Sequence, residues 1–213
     1  MALSKVNFNS MNVTPSASKA IKFNSSNNGL ETGDIGGSLV LISEQTASSS
    51  SAISFTSGID STYKEYVFKY ISIHPETNDV DFSFQGNAVG ESGFNETITS
   101  TTFRAYHTEA DSTSLAYNTS DDQAQGTSFQ VLHQSVGNDN DQSCSGTLHL
   151  FNPSSTTFVK HFMSRGNRYH HSDYSIDDLH AGYFNTTSAI DEIQFKFSSG
   201  NIDAGTIKMY GVK

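Results

Sequence analysis

The chain of 213 residues is long enough for one large all-β domain, and its 22 acidic against 12 basic residues give a formal net charge of −10. That balance repels phosphate backbones and, with no Lys/Arg cluster present, argues against nucleic acid as a partner. Fifteen Phe and nine Tyr exclude a disordered chain, although Ser, Thr, Asn and Gly hold the apolar fraction to 35%.

The opening Met1-Ala2-Leu3-Ser4-Lys5-Val6-Asn7-Phe8 has no apolar h-region, so the sequence reads as lacking a secretory signal. No run approaches the roughly 18 apolar residues of a membrane helix, so no membrane insertion is expected. The protein is expected to be made in a cytoplasm. Residues 1–37 differ in texture from the rest. Residues 18–23 read as an edge strand or a short extended arm, and residues 24–37 (NSSNNGLETGDIGG) as a loop with several turns. The expectation is an N-terminal arm or docking segment over 1–37, either loosely attached or seated on a neighbouring subunit.

From residue 38 onward, strand patterns and turn signals alternate. Strands are expected at 38–42, 52–56, 65–73, 81–86, 97–107, 127–133, 145–151, 157–163, 180–185, 192–198 and 205–212. The clearest is the third, where Tyr66, Phe68 and Tyr70 fall on one face and Val67, Ile71 and Ile73 on the other. Clusters of Ser, Gly, Asn and Asp lie between strands, and Pro75 and Pro153 sit just past strand ends. Many short strands with frequent turns predict an all-β, antiparallel β-sandwich over 38–213, jelly-roll-like, with an extended N-terminal arm. Two segments break the alternation and read as long loops. One is the acidic 109–126, with a helical turn at 121–125; the other is 164–178.

The second loop holds the densest polar-aromatic cluster, Arg168-Tyr169-His170-His171-Ser172-Asp173-Tyr174. It reads either as an ordinary loop anchored by a buried tyrosine or as a binding tip. As a tip, Arg168, Tyr169, His170, His171 and Tyr174, with Tyr183 beyond them, would stack on a sugar or pack on a partner. Adjacent histidines on a strand point oppositely and zinc needs three or four ligands, so no metal site is assigned there. Asp139-Asn140-Asp141 after Gly137 offers alternating oxygens to a hard cation. It lacks the loop Gly and the bidentate Glu of an EF-hand and reads as an acidic turn. Whether an ion binds at 137–141 or at His170–His171 is left open by the sequence.

His74, His107, His133, His149 and His161 read as sheet histidines with hydrogen-bonded rings. No Gly-x-Ser-x-Gly elbow occurs, and nothing singles out a pair of carboxylates for glycoside cleavage. The expectation is therefore no catalytic residue and no cofactor. Cys144 is the lone cysteine, which forbids an intrachain disulfide and reads as a buried, inert thiol.

Three stretches carry a family resemblance. The first runs from Gln45-Thr46-Ala47-Ser48 through Ile53-Ser54-Phe55-Thr56-Ser57-Gly58-Ile59-Asp60 to His74-Pro75. The second is Leu148-His149-Leu150-Phe151-Asn152-Pro153 with Phe158-Val159-Lys160-His161-Phe162. The third is Ala181-Gly182-Tyr183-Phe184 through Ser199-Gly200-Asn201-Ile202 to Gly205-Thr206-Ile207-Lys208-Met209-Tyr210-Gly211-Val212. Together they resemble a family of virion structural proteins encoded by tailed phages of marine bacteria. The closing Gly-Thr-Ile-x-x-Tyr-Gly is also similar to the last strand of jelly-roll domains in phage fibre proteins. The resemblance implies a non-enzymatic virion protein displayed on the particle exterior, as a capsid decoration or a fibre component. Its partners would be other virion proteins and copies of itself. The alternative it implies is a carbohydrate-binding receptor-recognition module of a tail fibre, contacting a host surface glycan. No catalytic motif is transferred, and residues 165–171 depart from the family pattern.

Overall fold

The computed structural model describes residues 13–14, 16, 19–34 and 37–213, and the chain divides into two compact units, Met1–Ser38 and Leu39–Lys213. The chain before Val13, expected to belong to the docking arm, lies outside the described residues. In the first unit β1 (Lys19–Phe23) pairs antiparallel with β2 (Leu30–Asp34). The described part is thus a hairpin and not an extended arm. Asn24 closes it, bonding Asn28 through both its side-chain amide and its side-chain carbonyl. The expected loop at 24–37 therefore contains a strand, Leu30–Asp34, whose Gly and charged residues hide the β pattern.

The second unit holds β3 (Leu39–Thr46), β4 (Ile53–Phe55), β5 (Glu65–Pro75), β6 (Val80–Ala88) and β7 (Ile98–Thr108). It continues with β8 (Thr113–Tyr117), β9 (Ala124–Gly126), β10 (Gln130–Val136), β11 (Cys144–Phe151) and β12 (Lys160–His170). It ends with β13 (Tyr174–Phe184), β14 (Ile190–Phe197) and β15 (Ile202–Val212). All pairings are antiparallel, and no helix occurs among the described residues. Nine strands in the order β3-β15-β5-β11-β12-β10-β6-β14-β4 form a nearly closed barrel. β12 joins β10 only at His170 and Val136, and the two ends of the path meet where Gln45 Nε2 donates to the Ser54 carbonyl at 2.6 Å. β13, β7, β8 and β9 branch from β12, so β3-β15-β5-β11-β12-β13-β7 is one broad layer lying over the short layer β10-β6-β14-β4.

Strand periodicity places the core between these layers. Tyr66, Phe68 and Tyr70 of β5, Leu148 and Leu150 of β11, and Phe162 of β12 point inward and are buried. They meet Phe82, Phe84, Phe195 and Phe197 from the short layer: Phe68 and Phe195 lie 5.6 Å apart, Phe84 and Phe162 5.1 Å, and Tyr70 and Phe82 5.4 Å. Such edge-on and tilted pairs each add about 0.5–1.5 kcal/mol beyond area burial.

The two expected long loops are mostly strand. Residues 164–170 and 174–178 are the ends of β12 and β13, paired residue for residue from Lys160↔Phe184 to His170↔Tyr174. Their hydropathy alternation vanishes because both faces are polar there: Ser164, Arg168 and Asp178 point in, while Arg165, Asn167 and Asp177 point out. Within 109–126, β8 extends β7, and Ala124–Gly126 is a short strand where one helical turn was expected. Leu115 and Tyr117 are exposed, so no buried face marks that strand in the sequence. No helix among the described residues is long and apolar enough to cross a membrane.

Candidate functional site

One array of chemistry-bearing groups lies inside the barrel. Register places Arg104, Asp178, Gly166, Gly146 and Tyr70 in a single row across β7, β13, β12, β11 and β5. The two glycines make a recess. A Cβ on Gly146 would lie 2.4 Å from the Tyr70 hydroxyl, and one on Gly166 would lie 2.6 Å from His133 Nε2, so only hydrogen fits. Into that recess the Tyr70 hydroxyl approaches His133 Nε2 at 2.9 Å, and His133 Nδ1 approaches Asp178 Oδ2 at 2.8 Å. Arg168 Nε lies 3.2 Å from the same carboxylate oxygen. Since Asp178 accepts from Nδ1–H, Nε2 is left to accept the Tyr70 proton.

Hydroxyl, imidazole and carboxylate in this order form the constellation of a nucleophilic relay. Its electrostatics and access are those of a structural network. Tyr70, His133, Arg168 and Asp178 are each 0–1% exposed. Burial pushes the Tyr70 hydroxyl up and the His133 imidazole down, and both changes favour neutral forms. Behind them His180 Nε2 donates to the Leu132 carbonyl at 2.8 Å and Nδ1 accepts the Thr102 hydroxyl at 3.1 Å. Burial holds His180 down at about 4. Asp121 reaches in from the turn before β9, tied by the Asn118 amide, and burial raises its carboxyl to about 6. Arg168 Nη1 and Nη2 and Asp178 Oδ1 have no hydrogen-bond partner in the protein. Cys144, the residue opposite Arg168 on β11, is buried with its thiol pushed up, as an inert thiol should be.

A second array lies outside, where β12 turns into β13. Asp173 adopts a left-handed φ of 65°, and its N–H bonds the His170 carbonyl to close the turn. His170 stacks between His171, at 4.3 Å, and Tyr174, at 4.9 Å, and Tyr174 stacks on Tyr106 at 5.8 Å. Burial, then the neighbouring His171, pushes His170 down to about 4, and its Nδ1 accepts the Ser172 N–H. His171 Nδ1 lies 3.2 Å from Asp79. On the outward side the Tyr169 hydroxyl donates to Glu109 at 3.3 Å, and desolvation followed by Glu109 and Asp173 pushes it up to about 12. Tyr169, Tyr174, His107, Glu109, Asn167 and Asp173 line an open groove of about 320 Å³ here. Aromatic faces beside carboxylate and amide acceptors suit a polyhydroxylated ligand with one apolar face.

The comparisons with known proteins identify no relative: no family model, no curated protein and no solved structure matches the chain.

The six residues expected at a binding tip thus separate into four places. Tyr169 lines the outer groove, which Arg168 and Tyr174 also border; the Tyr174 ring stacks with Tyr106 and His170 on the opposite side of the strands, where His171 completes the stack. Arg168 is corrected from a surface loop to the barrel interior, because its strand parity matches Phe162 and Ser164. Tyr183 is at the other end of β13, edge-on to His161 at 6.1 Å, and cannot share a groove with Tyr169. Among the described residues no group of three or more His, Cys, Asp or Glu is placed to hold a metal ion. At 137–141 the Asp139 N–H donates to the Gln142 side-chain carbonyl and the Gln142 N–H to the Asp139 backbone carbonyl, forming a turn. Sequence reading missed Tyr106 and Glu109. Tyr106 becomes visible only through the pairing Ile176↔Tyr106, which sets it diagonally beside Tyr174.

Proposed function

We propose that the chain is a non-enzymatic structural protein of a phage particle, displayed on the exterior as a capsid decoration or a fibre component. One observation carries this reading: the relay-like array found among the described residues, Tyr70–His133–Asp178, is sealed, while the open features of the same domain are an apolar trough and a shallow groove suited to binding. The strand order adds support. An eight-strand double Greek key sets strands 1-8-3-6 in one layer and 2-7-4-5 in the other. Counting from β4, the short layer β4-β14-β6-β10 follows the first order. The broad layer follows the second if β11, β12 and β13 together fill the seventh place and β8 with β9 the fifth. We infer an elaborated jelly roll, with β15 and β3 added beside β5. The family resemblance in residues 40–213 points the same way. Antibodies raised against the purified protein should decorate one location on the particle's exterior in electron micrographs; unlabelled particles throughout would remove the reading.

A second reading, glycan recognition by a tail-fibre module, is favoured by the Tyr169–Tyr174 groove with Glu109 and Asp173 on its rim. Host envelope polysaccharide should bind the protein, and Tyr169→Ala should weaken that binding at least tenfold. Equal binding by wild type and variant, or none by either, rules out this groove.

A further inference from the structure

We propose that the outer face of the broad layer, around Met163 and Leu179, is the surface on which a second copy of this chain packs. The inference rests on the reading of the chain as a structural protein and names its partner. Five of the thirteen exposed large hydrophobics among the described residues gather there: Phe103, Leu115, Tyr117, Met163 and Leu179. Register makes them contiguous. Leu179 pairs with Phe103 and Phe103 with Tyr117, while Met163 sits beside His149 on one side and Ala181 on the other. Between Phe103, Met163 and Phe151 runs an open apolar trough of about 420 Å³, floored by Thr101 and Ala181. Soluble monomers seldom leave a patch of this kind uncovered.

Charge selects the occupant. The outward positions of the broad layer carry three bases, Lys69, Arg165 and Lys208, and four acids, Glu44, Glu65, Asp177 and, at its edge, Asp203. They are largely matched on the spot. Arg165 meets Asp177 at 2.7 Å and Lys208 meets Glu44 at 3.1 Å; Glu65 accepts from His149 at 2.6 Å, and Lys69 lies over the Tyr210 ring. Nine of the ten excess negative charges therefore lie elsewhere on the chain. A basic partner finds little to attract it to this face. Two copies can bring these nearly neutral faces together while their acidic surfaces stay apart, which like-charge repulsion would forbid almost anywhere else. A face carrying both projections (Met163, Phe103) and a trough is self-complementary, as a two-fold contact requires.

Sedimentation velocity on the full chain tests this. At protein concentrations of about 10–100 µM, a range that populates contacts of micromolar affinity, wild type should sediment as a dimer or larger. Leu179→Glu and Met163→Glu should each return it to monomer mass, with circular dichroism unchanged and a thermal midpoint equal to that of wild type diluted to the monomer, because both side chains are exposed. As an independent readout, the Met163→Cys thiol should react at least fivefold more slowly with maleimide at high protein concentration than at low, the native Cys144 being buried. A wild-type monomer across the range, or an oligomer that survives both glutamates, overturns the proposal. Either failure leaves antibody decoration of the particle unaffected, and an oligomer through this face with undecorated particles would uphold this inference while removing the virion reading.

Discussion

The barrel interior is built in two halves. Where β5 and β11 face β6 and β14, it is a phenylalanine cluster in which Phe195 touches Phe55, Phe68, Phe82 and Phe84. Where β12, β13 and β7 face β10, it is polar, with Ser100, Thr102, Ser164, Arg168, Asp178 and His180 all buried. The first half is held by area and shape, so its members are interchangeable in kind. In the second, most groups are held by a named partner and Arg168 only by its ion pair with Asp178, so removing one strands another. The folding problem is thus solved twice in one domain, with different tolerance to change.

The sharpest way to break that contrast is to compare single and double substitutions in each half. Phe195→Ala should cost about 3–5 kcal/mol by chemical denaturation, and adding Phe82→Ala should cost more again, because cavities accumulate. Asp178→Asn should cost a similar 3–5 kcal/mol by leaving the Arg168 guanidinium buried without a counter-charge. Adding Arg168→Met should recover most of that loss, since Asn still accepts from His133. Coupling of the same sign in both halves would show that the distinction is false.

How far the sequence discloses each half follows from the same physics. Tyr66, Phe68 and Tyr70 recur at every second position and Phe195 and Phe197 flank Lys196, so their strands and inward faces can be read directly. In β12 and β13 polar residues occupy both faces, and the period is invisible to hydropathy even though pairing is complete over all eleven residues. That is why Arg168 reads as a loop residue. The Tyr70–His133–Asp178 network carries no local signal at all, since its members come from β5, β10 and β13 and meet only through register and the recess at Gly146 and Gly166. The outer groove is half legible: Tyr169 and Tyr174 sit in a conspicuous cluster, whereas Glu109 reaches it across strands and Tyr106 meets Tyr174 on their opposite side.

Acid should sharpen the contrast by acting on the polar half. His180 titrates near 4 in the folded state against 6.5 when unfolded, so the folded form binds fewer protons between those values. Its stabilising contribution is complete above pH 6.5 and is lost as pH falls towards 4, a change of about 3 kcal/mol. His170 and His133, also lowered, act in the same direction. Asp121 acts oppositely: raised from 3.8 to about 6, it favours the folded state most at low pH and loses that advantage as pH rises through the same window. Thermal midpoints should therefore fall from pH 7 to pH 4, and Asp121→Asn should steepen the fall by removing the opposing group. A variant profile flatter than wild type would contradict the assignment of the buried carboxyl.

The smallest effect belongs to a charge pair on the outside of the same strands. Arg165 donates from Nε and Nη2 to the two oxygens of Asp177 at 3.1 and 2.7 Å, a fork geometry better aligned than the Arg168–Asp178 contact a few residues away. Judged by distance alone, it should matter more. Its guanidinium is 68% exposed, however, so water competes for both partners and the ions give up little hydration on pairing. At protein concentrations low enough to keep the chain monomeric, Arg165→Gln should accordingly leave the denaturant midpoint almost unchanged, against a loss of several kcal/mol for Asp178→Asn. The two substitutions set an exposed ion pair against a buried one. A loss at Arg165 as large as that at Asp178 would mean that the outer face is already covered in solution, and would move the measurement from folding to association.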